Sequence, residues 1–268
     1  MTTPERYTHG HHESVLRGHR WRTVENSAAY LLEHLAPGIS LLDVGCGPGT
    51  ITVGLAARVA PGEVVAIDTS EAALADARTA LELQPDVQVR FETGDIYQLG
   101  YPDGSFDVVH AHQVMQHLSD PVAALREMAR VCRPGGVVAA RDADYGAMTW
   151  YPRFEGLERW REIYEALARA NRGEPDGGRE LYSWATRAGF SEVRASASVW
   201  CFATPEEREY WGGQWAARVT ESSFATQAAE LGLADGADLA EIAATWREWT
   251  STPDGWFAVL HGEIICRP

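Results

Sequence analysis

A glycine-rich turn between an apolar run and an amphipathic run constrains this chain more than any other feature of its sequence. The segment reads Leu41-Leu42-Asp43-Val44-Gly45-Cys46-Gly47-Pro48-Gly49-Thr50. It follows the pattern of a buried strand and then opens a helix. Glycines permit a tight turn and let a ligand approach the backbone where a Cβ would otherwise stand. The N-terminus of the following helix offers unpaired N–H groups to a carboxylate or a phosphate.

The spacing of these glycines bears on which ligand the turn accepts. The dinucleotide fingerprint is G-x-G-x-x-G. Here the last position is Thr50, and the third glycine, Gly49, comes one residue early. This mismatch disfavours a nicotinamide dinucleotide but leaves it open.

Short apolar runs alternate with amphipathic stretches between about Leu31 and Tyr145. Uninterrupted apolar strands separated by helices are typical of a parallel sheet covered on both faces. The runs predict strands at Ile39–Val44, Glu63–Ile67, Val87–Phe91, Phe106–His110 and Val137–Ala140. The stretches between them predict helices that include Thr50–Val59, Glu71–Leu83 and Val122–Val131. This half of the chain is therefore predicted to form a doubly wound α/β domain.

The last of these helices carries clear start and stop signals. Asp120 can cap its N-terminus, and Pro121 suits its first turn. Pro134-Gly135-Gly136 is expected to end it.

Acidic residues follow the second and third predicted strands. Asp68 ends the second, about where an acid binds ribose hydroxyls in a doubly wound fold. Asp95 follows the third, where its carboxylate can accept from an adenine amino group while Ile96 packs on the ring. A simple turn at Gly94-Asp95 is the alternative for that segment. The glycine turn and the two acids together predict a site for an adenosine-containing ligand.

The pattern changes in the second half of the chain. The later runs predict a helix and two strands, at Leu157–Arg169, within Gly189–Trp200 and at Trp256–Cys266. The segment between them, Thr204 to Pro253, has helical patterning and is too long for a plain loop, so we expect an insertion with its own structure. Nine of the ten tryptophans lie from Trp150 onward. They either fill the core of this insertion or line a pocket for an aromatic or apolar substrate.

Composition narrows the classes of partner. A formal net charge of -15 repels phosphate backbones and argues against a nucleic-acid partner. Four arginines cluster near the N-terminus, namely Arg6, Arg17, Arg20 and Arg22. They form either a basic patch or, more simply, a solvated helical face. No apolar run approaches the roughly 18 residues of a membrane helix, and the first residues lack the apolar centre of a signal peptide. The four scattered cysteines fit reduced thiols, so we expect a cytoplasmic protein without a membrane partner.

These segments together resemble the class I S-adenosylmethionine-dependent methyltransferases, and most closely the group related to the ubiquinone/menaquinone-biosynthesis methyltransferases. The resemblance runs from about Pro37 to Tyr145 and is specific for the family while nearly silent about the substrate. It includes the glycine turn, Asp68 and Gly94-Asp95. Further matching blocks are Phe106-Asp107-Val108-Val109, Gln116-His117-Leu118, Leu125-Arg126-Glu127-Met128 and Arg133-Pro134-Gly135-Gly136.

The resemblance implies a doubly wound, seven-stranded, Rossmann-like sheet. Its last strand, near Trp256–Cys266, would run antiparallel, with N-terminal helices and a helical insertion before that strand. We accordingly expect an N-terminal helical lid over residues 1–36, an α/β core over residues 37–203 and 254–268, and a helical cap over residues 204–253. Gly177-Gly178-Arg179 also looks like a family feature, with helix capping as the simpler alternative.

The resemblance implies S-adenosyl-L-methionine as the cofactor and S-adenosyl-L-homocysteine as the product. Asp43 and the backbone of Gly45 and Gly47 would hold the methionine end. His112 and Gln113, after the fourth strand, would border the methionine moiety and open onto the substrate.

The same resemblance assigns the adenosine end of the cofactor. Asp68 would hold the ribose hydroxyls, with Thr69 beside the adenosine. Gly94, Asp95 and Ile96 would hold the adenine.

Methyl transfer from a sulfonium is an in-line displacement, so the protein mainly aligns the reactants and excludes water. A general base is needed only when the acceptor carries a proton near working pH. A histidine paired with an aspartate can supply one, and the candidates are His117 with Asp142 or Asp144, together with Tyr145. A contact of His117 with the cofactor and a purely structural role for it stay open.

The N-terminal segment Tyr7-Thr8-His9-Gly10-His11-His12 is the other notable cluster. We expect it to fold over the cofactor, with Tyr7 in contact, or else to be a free polar tail. A metal site is not predicted, because no carboxylate pattern beyond Glu13 accompanies the histidines.

The sequence therefore predicts methyl transfer to the oxygen, nitrogen or carbon of a small organic molecule, with a preference for an aromatic or apolar secondary metabolite. A protein that binds S-adenosylmethionine without methyl transfer is the alternative. A monomer and a homodimer are equally compatible with the sequence.

Overall fold

The computed structural model describes residues 21–268, which form a single mixed sheet flanked by helices. The strands are β1 (Leu41–Val44), β2 (Val64–Asp68), β3 (Arg90–Thr93), β4 (Phe106–His112), β5 (Cys132–Ala143), β6 (Thr149–Tyr151), β7 (Glu192–Phe202) and β8 (Trp256–Arg267). The first five are parallel in the order β3-β2-β1-β4-β5. β8 runs antiparallel to β5, as predicted for the last strand, and β7 runs antiparallel to β8.

The described part of the sheet has eight strands, whereas the resemblance implied seven. β5 pairs only with the second half of β8, through His261–Cys266. The short β6 pairs with Trp256–Ala258 in the first half of β8. Backbone groups at a sheet edge require partners, and β6 supplies them where β5 has ended.

The helices are α1 (Val24–Ser27), α2 (Thr50–Val59), α3 (Glu71–Glu82), α4 (Pro121–Val131), α5 (Glu155–Ala170), α6 (Gly177–Ala188), α7 (Pro205–Glu221), α8 (Ser223–Glu230) and α9 (Gly236–Ser251). Short 3₁₀ helices lie at Ala29–His34, Met115–His117 and Tyr145–Ala147. α4 begins as predicted, because the Asp120 carboxylate accepts from the Ala123 N–H at 2.9 Å. No described helix is both long enough and apolar enough to cross a membrane.

Several predicted strand boundaries differ from the structure, for example the end of β4 at His112 rather than His110 and the end of β5 at Ala143 rather than Ala140. β3 begins at Arg90 rather than Val87, because its carboxyl end is in register with that of β2, where Thr93 pairs with Asp68. Pro134-Gly135-Gly136 lies inside β5 instead of ending α4, since the chain extends directly from Val131 into the strand. Arg267 supports this stretch by donating to the Gly135 and Gly136 carbonyls.

Alternate residues of the central strands pack against helices on opposite faces of the sheet, as a doubly wound fold requires. Leu41 of β1 and Val108 of β4 join a core with α1 and α2. Leu42 and Val109 join a second core with α4 and α6. The carboxyl ends of the parallel strands are thereby held in fixed positions between the two layers.

A third core fills the space between α5, α7, α8 and α9. Its centre is formed by fully buried aromatic side chains, namely Trp160, Trp215, Trp246, Trp249 and Phe257. These tryptophans fill a core, which was one of the two sequence interpretations. The division into lid, α/β core and cap stays a prediction, and residues 1–20 of the predicted lid lie outside the described range.

Candidate active site

A cavity of about 710 Å³ opens at the carboxyl ends of β1, β2, β3 and β4. Ligands of open α/β sheets bind at this edge, where the strand order reverses, and the volume suits a cofactor or a small molecule. The predicted site residues that line it are Asp43, Gly45, Gly47, Asp68, Thr69, Gly94, Asp95, Ile96, His112, Gln113 and His117. Predicted Tyr7 lies outside the described residues. Predicted Asp142, Asp144 and Tyr145 do not line this cavity.

The glycine turn forms one wall of the cavity and needs its glycines for two reasons. Gly45, Gly47 and Gly49 have φ values of 71°, 54° and 74°, a left-handed backbone that side chains disfavour. A Cβ on Gly45 would also lie 2.5 Å from Cγ2 of Val114. α2 begins at Thr50 immediately after the turn. The first N–H groups of that helix therefore point toward whatever occupies the cavity.

Asp68 is held at the end of β2 by the glycine turn itself. Its carboxylate accepts from the backbone N–H of Gly47 and from that of Ser70, each at 2.9 Å. The side chain is only partly buried and remains on the cavity wall. A carboxylate oxygen has more than one lone pair, so both oxygens can still accept from a ligand.

Asp43 lies beneath the turn and is 3% exposed. Its two oxygens are occupied by Nδ1 of His110 at 2.8 Å and Oγ1 of Thr52 at 2.5 Å. The acid thus joins β1, β4 and the first turn of α2. Because both of its oxygens are occupied, Asp43 anchors the glycine turn rather than presenting a free carboxylate to a ligand.

Gln113 adopts a left-handed backbone, with φ of 53°, directly after β4. Its N–H donates to the Arg141 carbonyl at 2.7 Å. Its side chain accepts from Nη2 of Arg22 at 2.8 Å and contacts Nε2 of His261 at 2.9 Å. Strained non-glycine residues cluster at functional sites. Sequence reasoning missed Arg22 and His261, because neither lies in a motif and both reach Gln113 only through the fold.

His112 is buried, lines the cavity and is fixed in one tautomer. Nη1 of Arg141 lies 2.9 Å from Nε2 of His112. Arginine can only donate, so Nε2 accepts and the ring proton is on Nδ1. That Nδ1 has no hydrogen-bond partner among the described residues. Burial, with the charges of Arg22 and Arg141, holds the pKa of His112 well below its usual range, so the ring is neutral.

The structure does not form the predicted pairs of His117 with Asp142 or Asp144. His117 contacts Nε2 of Gln116 at 3.1 Å. Asp142 instead accepts from the backbone N–H of Gln116 at 3.0 Å. Asp144 forms a bidentate ion pair with Arg179, at 2.5 and 2.6 Å. Asp142 is thus held by the backbone of the Met115–His117 turn and Asp144 by Arg179 of α6, so neither carboxylate reaches the His117 ring.

Burial lowers the pKa of His117 to about 3, with a contribution from the charge of Arg22. A base with so low a pKa is neutral at pH 7 but takes up a proton poorly. Tyr145 stacks on Tyr164, with ring centroids 3.8 Å apart. It lies at a neighbouring space rather than at the cavity.

The buried carboxyl group of Asp142 predicts how the stability of the folded protein changes with pH. Burial raises the pKa of Asp142 to about 7, against hydrogen bonds from the backbone of Gln116 and Met115. The folded state therefore holds this proton more tightly than the unfolded state. The resulting stabilisation is complete below pH 3.8 and is lost as pH rises through 7. Asp142→Asn mimics the protonated acid, so its advantage over the wild type should grow by about 2–3 kcal/mol between pH 5 and pH 8.5.

Urea unfolding of the wild type and of Asp142→Asn at pH 5 and pH 8.5 measures this change in relative stability. Titrations of other groups affect both proteins equally and cancel in the comparison. An advantage for Asp142→Asn that stays constant from pH 5 to pH 8.5 would contradict the raised pKa.

A second, smaller space adjoins the cavity. It is called the aromatic pocket here, and its lining residues are Trp21, Arg22, Gln113, Ala143, Tyr145, Met148, Trp200, Tyr210, Trp211, Arg218 and Val259. The sequence suggested an aromatic pocket only in general terms. These residues come from six separate parts of the chain, so no sequence motif could show that they meet.

Comparison with known proteins shows that this chain is similar to methyltransferases. Residues 42–140 match a family model described as a methyltransferase domain. The chain is 35% identical to an uncharacterized methyltransferase of Schizosaccharomyces pombe, across 97% of this chain and 95% of that protein.

Two solved structures are similar in fold. A phosphoethanolamine N-methyltransferase of Haemonchus contortus, in complex with S-adenosylhomocysteine, has a TM-score of 0.57 at 18% identity, over 90% of this chain and 52% of that chain. The (4+2)-cyclase SpnF has a TM-score of 0.51 at 23% identity, over 95% of this chain and 81% of that chain. At these identities the likeness shows the fold alone, and a fold hosts more than one reaction.

Proposed function

Since this chain belongs to the S-adenosylmethionine-dependent methyltransferases, we propose that it methylates a small organic acceptor bound at the Gln113 end of the cavity. Bound S-adenosylmethionine supplies a methyl group that is already activated as a sulfonium. The observation that carries the proposal is the cavity at the carboxyl ends of β1 to β4, with eleven residues predicted from the sequence on its wall. The acceptor atom is an oxygen, a nitrogen or a carbon.

The residues present fit the cofactor. Gly45 and Gly47 line the cavity with a left-handed backbone that side chains disfavour, and the N-terminus of α2 suits a carboxylate. His112 offers a buried Nδ1–H that has no partner in the described range. A ligand that accepts hydrogen bonds removes the cost of that unpaired donor.

The adenosine end has matching groups along β2 and β3. Asp68, held by two backbone N–H groups, is proposed to accept from the ribose hydroxyls. Asp95 and the buried Ile96 are proposed to hold the adenine. Asp95 is itself oriented by the Tyr97 N–H at 2.9 Å.

The described residues around Gln113 include no strong proton acceptor. His112 and His117 both have lowered pKa values, and Asp142 lies behind Gln116. This arrangement favours acceptors that present a lone pair or ionise without help, and the protein's contribution is then alignment and exclusion of water.

Calorimetric titration with S-adenosylmethionine and S-adenosylhomocysteine, with NADH as the control, tests the cofactor. We expect binding of the first two and none of NADH. An acceptor screen that follows S-adenosylhomocysteine formation then tests methyl transfer. Binding without any S-adenosylhomocysteine across the screen would favour a protein that uses the cofactor in another way.

His117→Ala is expected to lower turnover about tenfold while changing cofactor affinity less than about threefold. The reason is that the ring borders the cavity beside Gln116 and positions the acceptor. With a pKa of about 3, His117 should add no step to the rate profile between pH 6 and pH 8.5. Steady-state kinetics and calorimetry on both proteins check this. A rate that falls below pH 6.5 in the wild type and not in His117→Ala would restore its role as a base.

All four cysteines are free thiols, namely Cys46, Cys132, Cys201 and Cys266. Free thiols without disulfides are typical of a reducing compartment, which supports the cytoplasm as the place of action. The choice between monomer and homodimer stays a prediction.

A further inference from the structure

Four polar residues lie in direct register on four neighbouring strands. His112 of β4 is paired with Arg141 of β5, and Arg141 is paired in turn with Glu263 of β8. Glu263 is paired with Ser196 of β7, on the outer side of β8. Side chains at paired positions point to the same face of a sheet. These residues, called the polar row here, therefore run from the cavity wall toward the edge of the described sheet.

The hydrogen bonds along the polar row have a fixed direction. Oγ of Ser196 donates to Oε2 of Glu263 at 2.8 Å, and Oε1 of Glu263 accepts from Nε of Arg141 at 3.2 Å. Nη1 of Arg141 then donates to Nε2 of His112 at 2.9 Å. A guanidinium group cannot accept, and an ionised carboxylate cannot donate. The polar row therefore holds His112 in the neutral tautomer that carries its proton on Nδ1.

The guanidinium group of Arg141 is packed so that it stays against His112. Arg141 is 1% exposed, and its guanidinium carbon lies 4.9 Å from the ring centroid of Trp200. The indole N–H of Trp200 donates to the Asn26 carbonyl at 2.6 Å, which fixes the ring in turn. Nε of Arg141 also donates to Oγ of Ser198 at 3.1 Å. These contacts make the polar row a rigid support for the His112 ring.

The stability of the sheet does not require the polar row. A buried ion pair often stabilises a fold less than apolar side chains of similar volume do. The core on the same face of the sheet is apolar at Leu41, Val108 and Ile265. The row ends at Nδ1–H of His112, which has no hydrogen-bond partner among the described residues. A buried donor without a partner calls for an explanation, and a ligand in the cavity supplies one.

The position of His112 indicates which group of the ligand lies near it. The preceding residue, Ala111, is paired with Val44 at the end of β1, so His112 lies at the level of the glycine turn. By the alternation of side chains, His112 shares its face of the sheet with Asp43, which accepts from Thr52 in the first turn of α2. The N-terminus of α2 suits a carboxylate. A carboxylate bound there is on the same side of the sheet as His112.

We propose that Arg141 and Glu263 are positioning residues, which hold His112 as the Nδ1–H tautomer so that it donates to the carboxylate of S-adenosylmethionine. His112 then acts as a hydrogen-bond donor and not as a base, because its Nε2 lone pair accepts from Arg141. This inference rests on the proposed function, since it assigns residues that orient a contact with the same cofactor.

Nuclear magnetic resonance of the protein with ¹⁵N-labelled histidine, saturated with S-adenosylhomocysteine, tests the tautomer. His112→Gln identifies the signals of His112 among those of the nine histidines. We expect only Nδ1–H in the wild type and a detectable population of Nε2–H in Arg141→Met, because the donor to Nε2 is removed. His110 is the internal control, since its Nδ1 lies 2.8 Å from Asp43 and its tautomer should not change.

Calorimetric titration tests the contact with the carboxylate. S-adenosylhomocysteine and methylthioadenosine share the adenosine end, but only the first carries the amino-acid end. Arg141→Met should weaken binding of S-adenosylhomocysteine about tenfold and that of methylthioadenosine less than about twofold, because one hydrogen bond to a charged group is lost. Arg141→Lys can still donate to Nε2 and should retain most of the affinity. Glu263→Gln should give a smaller loss in the same direction.

Arg208→Met is the matched control. Arg208 is 6% exposed and donates to the carbonyls of Ala203 and Thr250, which are outside the polar row. Its removal should leave the ratio of the two affinities unchanged. If Arg141→Met does not fold, the double variant Arg141→Met with Glu263→Met replaces the whole ion pair, an exchange that proteins often tolerate. It should show the same selective loss of affinity for S-adenosylhomocysteine.

An unchanged tautomer of His112 in the folded variants that lack Arg141 would overturn the inference. So would unchanged affinity for S-adenosylhomocysteine in those variants, or equal losses for S-adenosylhomocysteine and methylthioadenosine. Failure of the wild type to bind S-adenosylhomocysteine is a separate result, which contradicts the proposed function itself.

Discussion

Alanine in place of Gly262 is expected to lower the free energy of unfolding by about 3 kcal/mol or more. A Cβ at this position would lie 1.9 Å from the carbonyl oxygen of Gly178 and 2.5 Å from its carbonyl carbon. These are backbone atoms in the first turn of α6, so no side-chain rotation relieves the contact. The whole helix must move away from β8, against a core that includes Leu181 and Trp184.

Urea unfolding with Gly100→Ala as the control measures this effect. Gly100 has no heavy atom within 4 Å of an added Cβ, so its substitution should change stability by less than about 1 kcal/mol. If Gly262→Ala unfolds at the same urea concentration as Gly100→Ala, the approach of α6 to β8 is not as close as described.

The same contact explains Gly177-Gly178-Arg179, which the sequence left between a family feature and a helix cap. Side-chain capping is not used, because Asp176 makes no capping hydrogen bond at the start of α6. Gly178 allows the backbone of α6 to touch Gly262, and Arg179 holds Asp144. The motif is therefore a packing device beneath the cavity.

Replacement of Asp68 by alanine is expected to raise the dissociation constant for S-adenosylmethionine by at least about 100-fold. The proposed role of its carboxylate is to accept from two ribose hydroxyls, and each charge-assisted hydrogen bond contributes about 1.5–3 kcal/mol. The loss also frees the N–H groups of Gly47 and Ser70, which the carboxylate now orients. Calorimetric titration gives the constant, and circular dichroism shows whether the fold is retained.

Two further variants distinguish the loss of the Asp68 carboxylate charge from nonspecific effects of removing an acidic side chain. Asp68→Asn keeps a side-chain oxygen for Gly47 and should lose less affinity than Asp68→Ala. Asp86→Ala removes an exposed acid outside the cavity and should bind as the wild type does. A folded Asp68→Ala protein with unchanged affinity would refute the assignment of Asp68 to the ribose.

Much of the α/β half could be predicted from local patterns. α2 was predicted with both of its ends, because Gly49 and the apolar period of the following ten residues specify a helix locally. β3 was misplaced by three residues, since its register depends on β2, a partner that the local pattern does not contain. β6 was missed for the same reason, because three residues acquire strand character only by pairing with β8.

The sequence by itself determined the wall of the cavity. The glycine turn, Asp68 and Asp95 each follow a parallel strand, and the carboxyl ends of neighbouring parallel strands meet at one edge of the sheet. The strand assignment and the fold class were therefore enough to predict that these residues lie close together. The tertiary structure alone decided which groups surround Gln113. The side chains of Arg22 and His261 reach it from segments that are distant in the chain. A side-chain contact of that kind depends on packing in three dimensions, which no local period encodes.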